Sequence, residues 1–201
     1  MILSKQEIRD AITRKEIRFD PPLEERQWGE ASIDLRLGVN FTKLKPAPSM
    51  KISMAGGLGA IADSGLWVEE TLKQTNKFGK RETYVLEPNE FVLALIHERV
   101  WMPRNLIGMV EGRTTYARVG LSMHQTAPWI QPGWNGHITL EIRNSGPLNI
   151  ELTPIADMPC QLTFFELTSE LPVGEAYGSR PNDIFQNQKK ALPKKGQPKK
   201  K

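Results

Sequence analysis

At 201 residues, with 39% apolar and 25% charged, the chain suits one domain with a real core and would be cramped as two. No apolar run approaches the roughly 20 residues of a membrane helix, the first ten residues lack a signal peptide's order, and the lone Cys160 excludes an internal disulfide, so a cytoplasmic setting off the membrane is expected. The net charge of +4 does not mark a nucleic-acid-binding domain, because residues 189–201 hold seven lysines and no acid and leave a mildly acidic body.

In chain order, Ser4 and Glu7 have the spacing of a capping box, and Ile8, Ala11 and Ile12 recur at helical spacing. A short helix is expected over about residues 4–14, with Asp20-Pro21-Pro22 closing that region. Residues 31–37 alternate as a strand, with Ile33, Leu35 and Leu37 on one face and Asp34 and Arg36 on the other. Residues 46–65, rich in Pro, Gly, Ser and Ala, read as an irregular loop. From residue 83 the pattern is mostly strand: 84–86, then 91–96 after the turn at 87–90, then 106–110 after a turn at 102–105. Residues 137–143 alternate cleanly, with Ile138, Leu140 and Ile142 opposite His137, Thr139, Glu141 and Arg143. After the turn at 144–147, Leu148, Ile150 and Leu152 alternate, and 161–167 supplies a late strand. Many short strands behind one leading helix point to a β-sandwich or β-barrel. Proline, glycine and lysine build no core, so the tail is expected to be disordered. It reads first as simply solvated, and otherwise as an electrostatic contact for a polyphosphate or nucleic acid; for the protein as a whole, nucleic acid is not the expected partner.

Residues 112–118 join a glycine, two arginines and two adjacent hydroxyls. Phosphate oxygens take such donors, and arginine's planar fork suits them best. By composition alone the segment reads first as a solvated loop. Glu141 is an acid between Leu140 and Ile142 with Thr139 on its face. It reads either as an exposed acid on a half-buried sheet or as a general base tuned by burial and a nearby arginine. His124 and His137 are better read as structural than as metal ligands, since the chain carries no Cys-x-x-Cys, no His-Glu-x-x-His and no zinc-deaminase signature. Trp129 and Trp134 flank Pro132-Gly133, as pocket walls or as core aromatics beside a turn.

Taken as a string, the central region resembles the dCTP deaminase family, which belongs with the trimeric dUTPases. The family pattern G-R-S-S-x-x-R-x-G-L, H-x-T-A, I-D-P-G-[WF]-x-G and a strand ending L-E appears here as 112–121, 124–127, 130–136 and 139–141. The likeness extends to residues 1–4, 31–38, 87–94, Gln161-Leu162 and, for the C-terminal lid, Tyr177-Gly178 and 185–188. It implies a mainly β fold: a distorted β-barrel or jelly-roll of the dUTPase type with a short N-terminal helix. It also implies a homotrimer with active sites at subunit interfaces. The implied division is a deaminase domain over 1–176, and a lid with the basic tail over 177–201. The implied reaction is hydrolytic deamination of dCTP to dUTP and ammonia, supplying dUMP and dTTP synthesis, without zinc and with Mg2+ carried on the triphosphate. Residue by residue, Glu141 stands where the family has its general base, and Arg118 and Thr114 where partners hold the water and the cytosine. Arg113 and Thr115 fall in the triphosphate stretch. Ala127, Gln131, Thr139, Leu140, Gln161, Tyr177 and Gln188 match nucleotide-contacting positions.

Three departures stand out. Thr114 replaces the first serine and keeps its hydroxyl. Gln131 replaces an aspartate; it can still bond a sugar hydroxyl but cannot act as a base, which argues against dUTPase activity and against the dUMP-forming, bifunctional type. The segment 124–130 nonetheless resembles that bifunctional type. Ile184 replaces a lid lysine, for which Lys189 or Lys190 can substitute. The alternatives carried forward are therefore a dUMP-forming deaminase or dUTPase, with dUTP or dTTP as ligands, and a non-catalytic nucleotide-binding module.

Overall fold

The computed structural model describes residues 1–49, 51, 62, 64–73, 80–181 and 183–192. Most of the 46–65 loop and residues 193–201 of the tail lie outside the described residues. Helix α1, Lys5–Thr13, begins as its sequence dictates: the Ser4 hydroxyl accepts from the Glu7 amide, and the Glu7 carboxylate accepts from the Ser4 amide at 2.7 Å. Both satisfy donors that a helix N-terminus otherwise leaves open. The helix buries Ile8 and Ala11. The strands are β1 Arg18–Asp20, β2 Ile33–Leu35, β3 Leu37–Leu44, β4 Trp67–Thr71, β5 Tyr84–Leu86 and β6 Phe91–Trp101. They continue as β7 Leu106–Gly112, β8 Leu121–Ser122, β9 Trp129–Ile130, β10 Asn135–Asn144, β11 Ile150–Leu152 and β12 Cys160–Glu166. A single helical turn, α2 Thr114–Ala117, separates β7 from β8.

Among the described residues every ladder between these strands is antiparallel. One sheet runs β4-β3-β6-β10-β8, with β1 also on β6; a second runs β2-β12-β7-β9; β11 and β5 form a small third. Side chains from all three sheets and α1 join one apolar cluster. The fold is thus mainly β, as expected, but a closed barrel is not formed: among the described residues β2 and β9, at the edges of the second sheet, have no ladder to the first. The core is instead shared between facing sheets.

Two local expectations are corrected. The alternation over 31–37 places Arg36 with Asp34 on the wet face, yet Arg36 is 4% exposed. The fully buried Glu98 of β6 draws it inward, accepting from its Nε at 2.6 Å and its backbone N–H at 3.1 Å, and the expected strand breaks there into β2 and β3. A buried carboxylate demands such a partner. The alternation expected over Leu148, Ile150 and Leu152 is realised only from Ile150, where β11 starts, and Leu148 is exposed. The strand over 137–143 is borne out within β10, whose Ile138, Leu140 and Ile142 are buried.

Gly120 closes the join between α2 and β8. Its φ is +94°, and a Cβ there would lie 2.4 Å from the Gly146 nitrogen. Only glycine allows this approach, which holds α2 against the turn that follows β10.

Candidate active site

A groove of about 690 Å³ opens between the first sheet, β9 and the C-terminal segment. Its size is that of a small-molecule site. Because Leu140 and Ile142 point into the core, period-two alternation turns Thr139 and Glu141 to the opposite face, and both line the groove, joined by Ile138 beside the register shift between His137 and Thr139. The loop 123–125 fixes Glu141. Its backbone N–H donates to the Met123 carbonyl at 2.9 Å, and the Gln125 backbone N–H donates to its Oε2 at 2.9 Å. The Gln125 side chain adds a bond to the Glu141 carbonyl at 3.1 Å. The carboxylate is therefore held in one orientation by main chain on a half-buried wall. A base needs that geometry before anything else.

Apolar side chains surround the acid: Phe91 and Leu93 of β6, Trp129 and Ile130 of β9, and the buried Trp134. Both tryptophans flanking Pro132-Gly133 line the groove, and Trp134 also belongs to the buried core. Trp129 is 48% exposed and edge-packed on Phe165. Gln131 lines the groove between them.

The segment 183–192 covers the groove of its own chain. Gln188 donates from Nε2 to the Thr139 hydroxyl, and its carbonyl accepts from the His137 N–H at 3.1 Å. The Asn187 amide donates to the Asn135 carbonyl at 2.8 Å, and Gln186 Nε2 to the Gly133 carbonyl at 3.0 Å. Lys190 reaches Glu69 on β4 at 2.6 Å. Tyr177 stands at the base of this cover: its N–H donates to the Pro132 carbonyl at 2.9 Å, its hydroxyl accepts from the Phe185 N–H, and burial pushes its phenol pKa up. Gly133, at φ +83°, makes room for it; a Cβ there would lie 2.8 Å from Ala176 Cβ.

Of the residues singled out in the sequence, Gln131, Thr139, Glu141, Tyr177 and Gln188 meet in this groove. A second group lies elsewhere on the chain. Arg113 pairs through Nε with Asp34 Oδ2 at 3.1 Å and donates from Nη1 to the Met158 carbonyl at 3.0 Å. Asp34 has its pKa raised by burial, against the pull of Arg113. Gln161 sits in register between Asp34 and Glu111 and accepts from the Ser32 hydroxyl at 3.1 Å. Thr114, Thr115 and Arg118 are exposed on or just after α2, and Ala127 is exposed in the loop before β9. Among the described residues Arg118 makes no ion pair with Glu141. Leu140 is 1% exposed, so its side chain belongs to the core and only its main chain is left for a ligand. Sequence reasoning gave no role to Gln125 and placed Phe185 only within the lid motif, not in the groove. A backbone donor carries no residue signal, whereas Phe185 was visible as the aromatic of the lid motif.

His124 pairs with Glu111 at 3.1 Å, and His137 Nδ1 lies 3.3 Å from the Ile96 carbonyl. Among the described residues no three His, Cys, Asp or Glu side chains are grouped as metal ligands, and no helix is long and apolar enough to cross a membrane.

Comparison with known proteins gives one consistent result. Residues 2–167 match the family model described as dCTP deaminase-like. The chain is 34% identical over 193 residues to a dCTP deaminase of Rhodospirillum rubrum, covering 96% of this chain and 95% of that one. It is 35% identical over 175 residues to a dUMP-forming dCTP deaminase of Methanobrevibacter smithii, covering 86% and 85%. Among solved structures, the 2'-deoxycytidine 5'-triphosphate deaminase of Agrobacterium tumefaciens superposes with a TM-score of 0.61 at 19% identity. That match covers 87% of this chain and half of the other, and speaks to fold alone.

Proposed function

The chain belongs to the dCTP deaminase-like family, and on that premise we propose that it is a dCTP deaminase, converting dCTP and water to dUTP and ammonia. The observation that carries the reading is Glu141: a carboxylate on the groove wall, held by the Gln125 N–H. Water is a weak nucleophile at neutral pH. Glu141 takes its proton as oxygen bonds to C4 of the cytosine, and passes a proton to the departing amino nitrogen. Thr139 and Gln188, bonded to each other, offer the polar contacts beside the ring. Trp129, Ile130 and Phe91 exclude solvent around it. Mg2+ is proposed to arrive on the triphosphate, as part of the substrate.

A homotrimer completes the site. The separation of the two residue groups on one chain supports this: Arg118, Thr114, Thr115 and Arg113 do not reach the groove that holds Glu141. We propose that they serve the groove of a neighbouring protomer, with Arg118 against Glu141, Thr114 on the water and the base, and Arg113, Thr115 and Gln161 toward the triphosphate. Ala127 and the Leu140 main chain bound the cytosine. The outer face of the second sheet, with half-buried Ile107, Met109 and Phe165 beside exposed Trp129, offers an apolar surface for such an assembly. The buried, free thiol of Cys160 suits a reducing, cytoplasmic setting.

Ammonia release from dCTP, with the products separated by chromatography, tests the activity. Glu141→Gln is expected to lower kcat by roughly 10²–10⁴-fold while the assembly stays intact; full activity in that variant removes Glu141 as base. Co-expression of Glu141→Gln with Arg118→Ala tests the sharing. Mixed assemblies regain wild-type sites only if the two side chains come from different protomers.

A second reading, the dUMP-forming reaction, draws on the 124–130 segment and on the Methanobrevibacter smithii relative. Gln131, which cannot act as a base, weighs against it. Pyrophosphate release from dUTP separates the two readings. Tight dCTP binding without turnover would mark a binding module instead.

A further inference from the structure

A second cavity, of about 460 Å³, lies behind the base of the lid. It is bounded by Lys15, Arg18 and Trp101 on one side and by Ala176–Ser179 and Gln186 on the other. None of its charged groups takes part in the proposed reaction. We propose that this cavity binds a polyphosphate anion, and that its occupancy is felt in the catalytic groove through Tyr177, which lines both.

The charge balance favours an anion. Both oxygens of Glu16, the one acid on the wall, are held by Arg14 at 2.7 and 2.9 Å. Arg104 is paired with Glu170 at 2.5 Å. Lys15 and Arg18 have no anionic partner among the described residues. Their placement is fixed rather than accidental. Ile17 between them is fully buried, and β1 pairs with β6 so that Arg18 stands opposite Trp101. The Arg18 guanidinium lies 4.9 Å from the Trp101 ring centroid, and Arg99 lies 4.7 Å from it. An arginine braced on an aromatic face keeps its planar donors ordered for phosphate oxygens. The bounded volume suits a small ligand and is too small for a strand of nucleic acid or an acidic peptide. The far wall is the chain 176–179, which packs on Gly133 at a contact too close for any other residue and carries Tyr177 into the groove. An occupant therefore touches the same element that carries Tyr177 into the groove.

The coupling rests on the reading of the groove as the dCTP site; the binding does not, and the test keeps them apart. Glu141→Gln protein is first titrated with dCTP, which reports on the groove. The dCTP-saturated protein is then titrated with inorganic pyrophosphate at fixed free magnesium, alongside the same protein carrying K15Q and R18Q. The expected result is saturable pyrophosphate binding that weakens about tenfold or more in the doubly substituted protein, since two charge-assisted contacts are lost. In otherwise wild-type enzyme, pyrophosphate should shift the KM for dCTP, and K15Q/R18Q should abolish that shift without changing basal kcat. ATP titrated in parallel distinguishes a free polyphosphate from a nucleotide as occupant, by whether the base adds affinity. Equal binding with and without the two cations, or no binding at millimolar pyrophosphate, overturns the proposal. Failure of the first dCTP titration would instead count against the reading of the groove.

Discussion

Glu98→Gln tests the packing argument on which the fold rests. Glu98 is fully buried and accepts three hydrogen bonds: from Arg36 Nε at 2.6 Å, from the Arg36 N–H at 3.1 Å and from Gln27 Nε2 at 2.9 Å. The amide has nearly the same shape but no charge, and its NH₂ must face one of those donors. The Arg36 guanidinium, 5% exposed, then keeps only Glu24, itself 46% exposed, as an ionic partner. Removing one partner of a buried pair costs about 3–5 kcal/mol. The remaining Glu24 contact puts the expected loss near the lower end, about 3 kcal/mol. For a chain of this size that lowers Tm by about 6–12 °C. Thermal unfolding followed by circular dichroism, at matched protein concentration, reads the shift. A loss below about 1 kcal/mol would refute the claim that Glu98 is what draws Arg36 inward. The paired variant E98L/R36M, which removes both charges, is expected to lie closer to wild type than Glu98→Gln alone.

Gly133→Ala puts a methyl group against Ala176 at a left-handed backbone position. It is expected to raise the KM for dCTP at least several-fold by displacing Tyr177, with a smaller change in kcat, as steady-state kinetics would report. His97 and His137 both have their pKa lowered from the ordinary 6.5, mainly by burial. The unfolded chain therefore takes up protons first as pH falls. Their contribution to stability is present above about 6.5 and is lost as pH drops through the folded values. Urea unfolding between pH 7.5 and 5 should show stability falling with acidity, and H97Q/H137Q should flatten that slope.

Helix α1 was legible because a capping box and helical spacing reinforce each other over a few adjacent residues. The strand carrying Glu141 was legible because Ile138, Leu140 and Ile142 alternate without interruption. Arg36 misled because alternation registers only which side a residue faces, whereas Glu98, 62 residues away, supplied a charge to meet it inside. The short strands β1, β8 and β9 are set by their partners in the sheets and have no period of their own to display. The groove was legible in part. Glu141, Thr139 and Gln188 could be named, but their meeting depends on a lid that returns over its own β10. The tether from Gln125 is a main-chain bond and leaves no trace in residue identity.

That tether has a consequence for how the position can vary over time. The aim of the Glu141 carboxylate depends on an amide that every residue but proline possesses. Side chains at position 125 are therefore free to drift, losing the bonds from the Gln125 amide to the Glu141 carbonyl and the Ser122 hydroxyl, while the carboxylate keeps its bearing. Proline at 125 is the one replacement that would unmoor it.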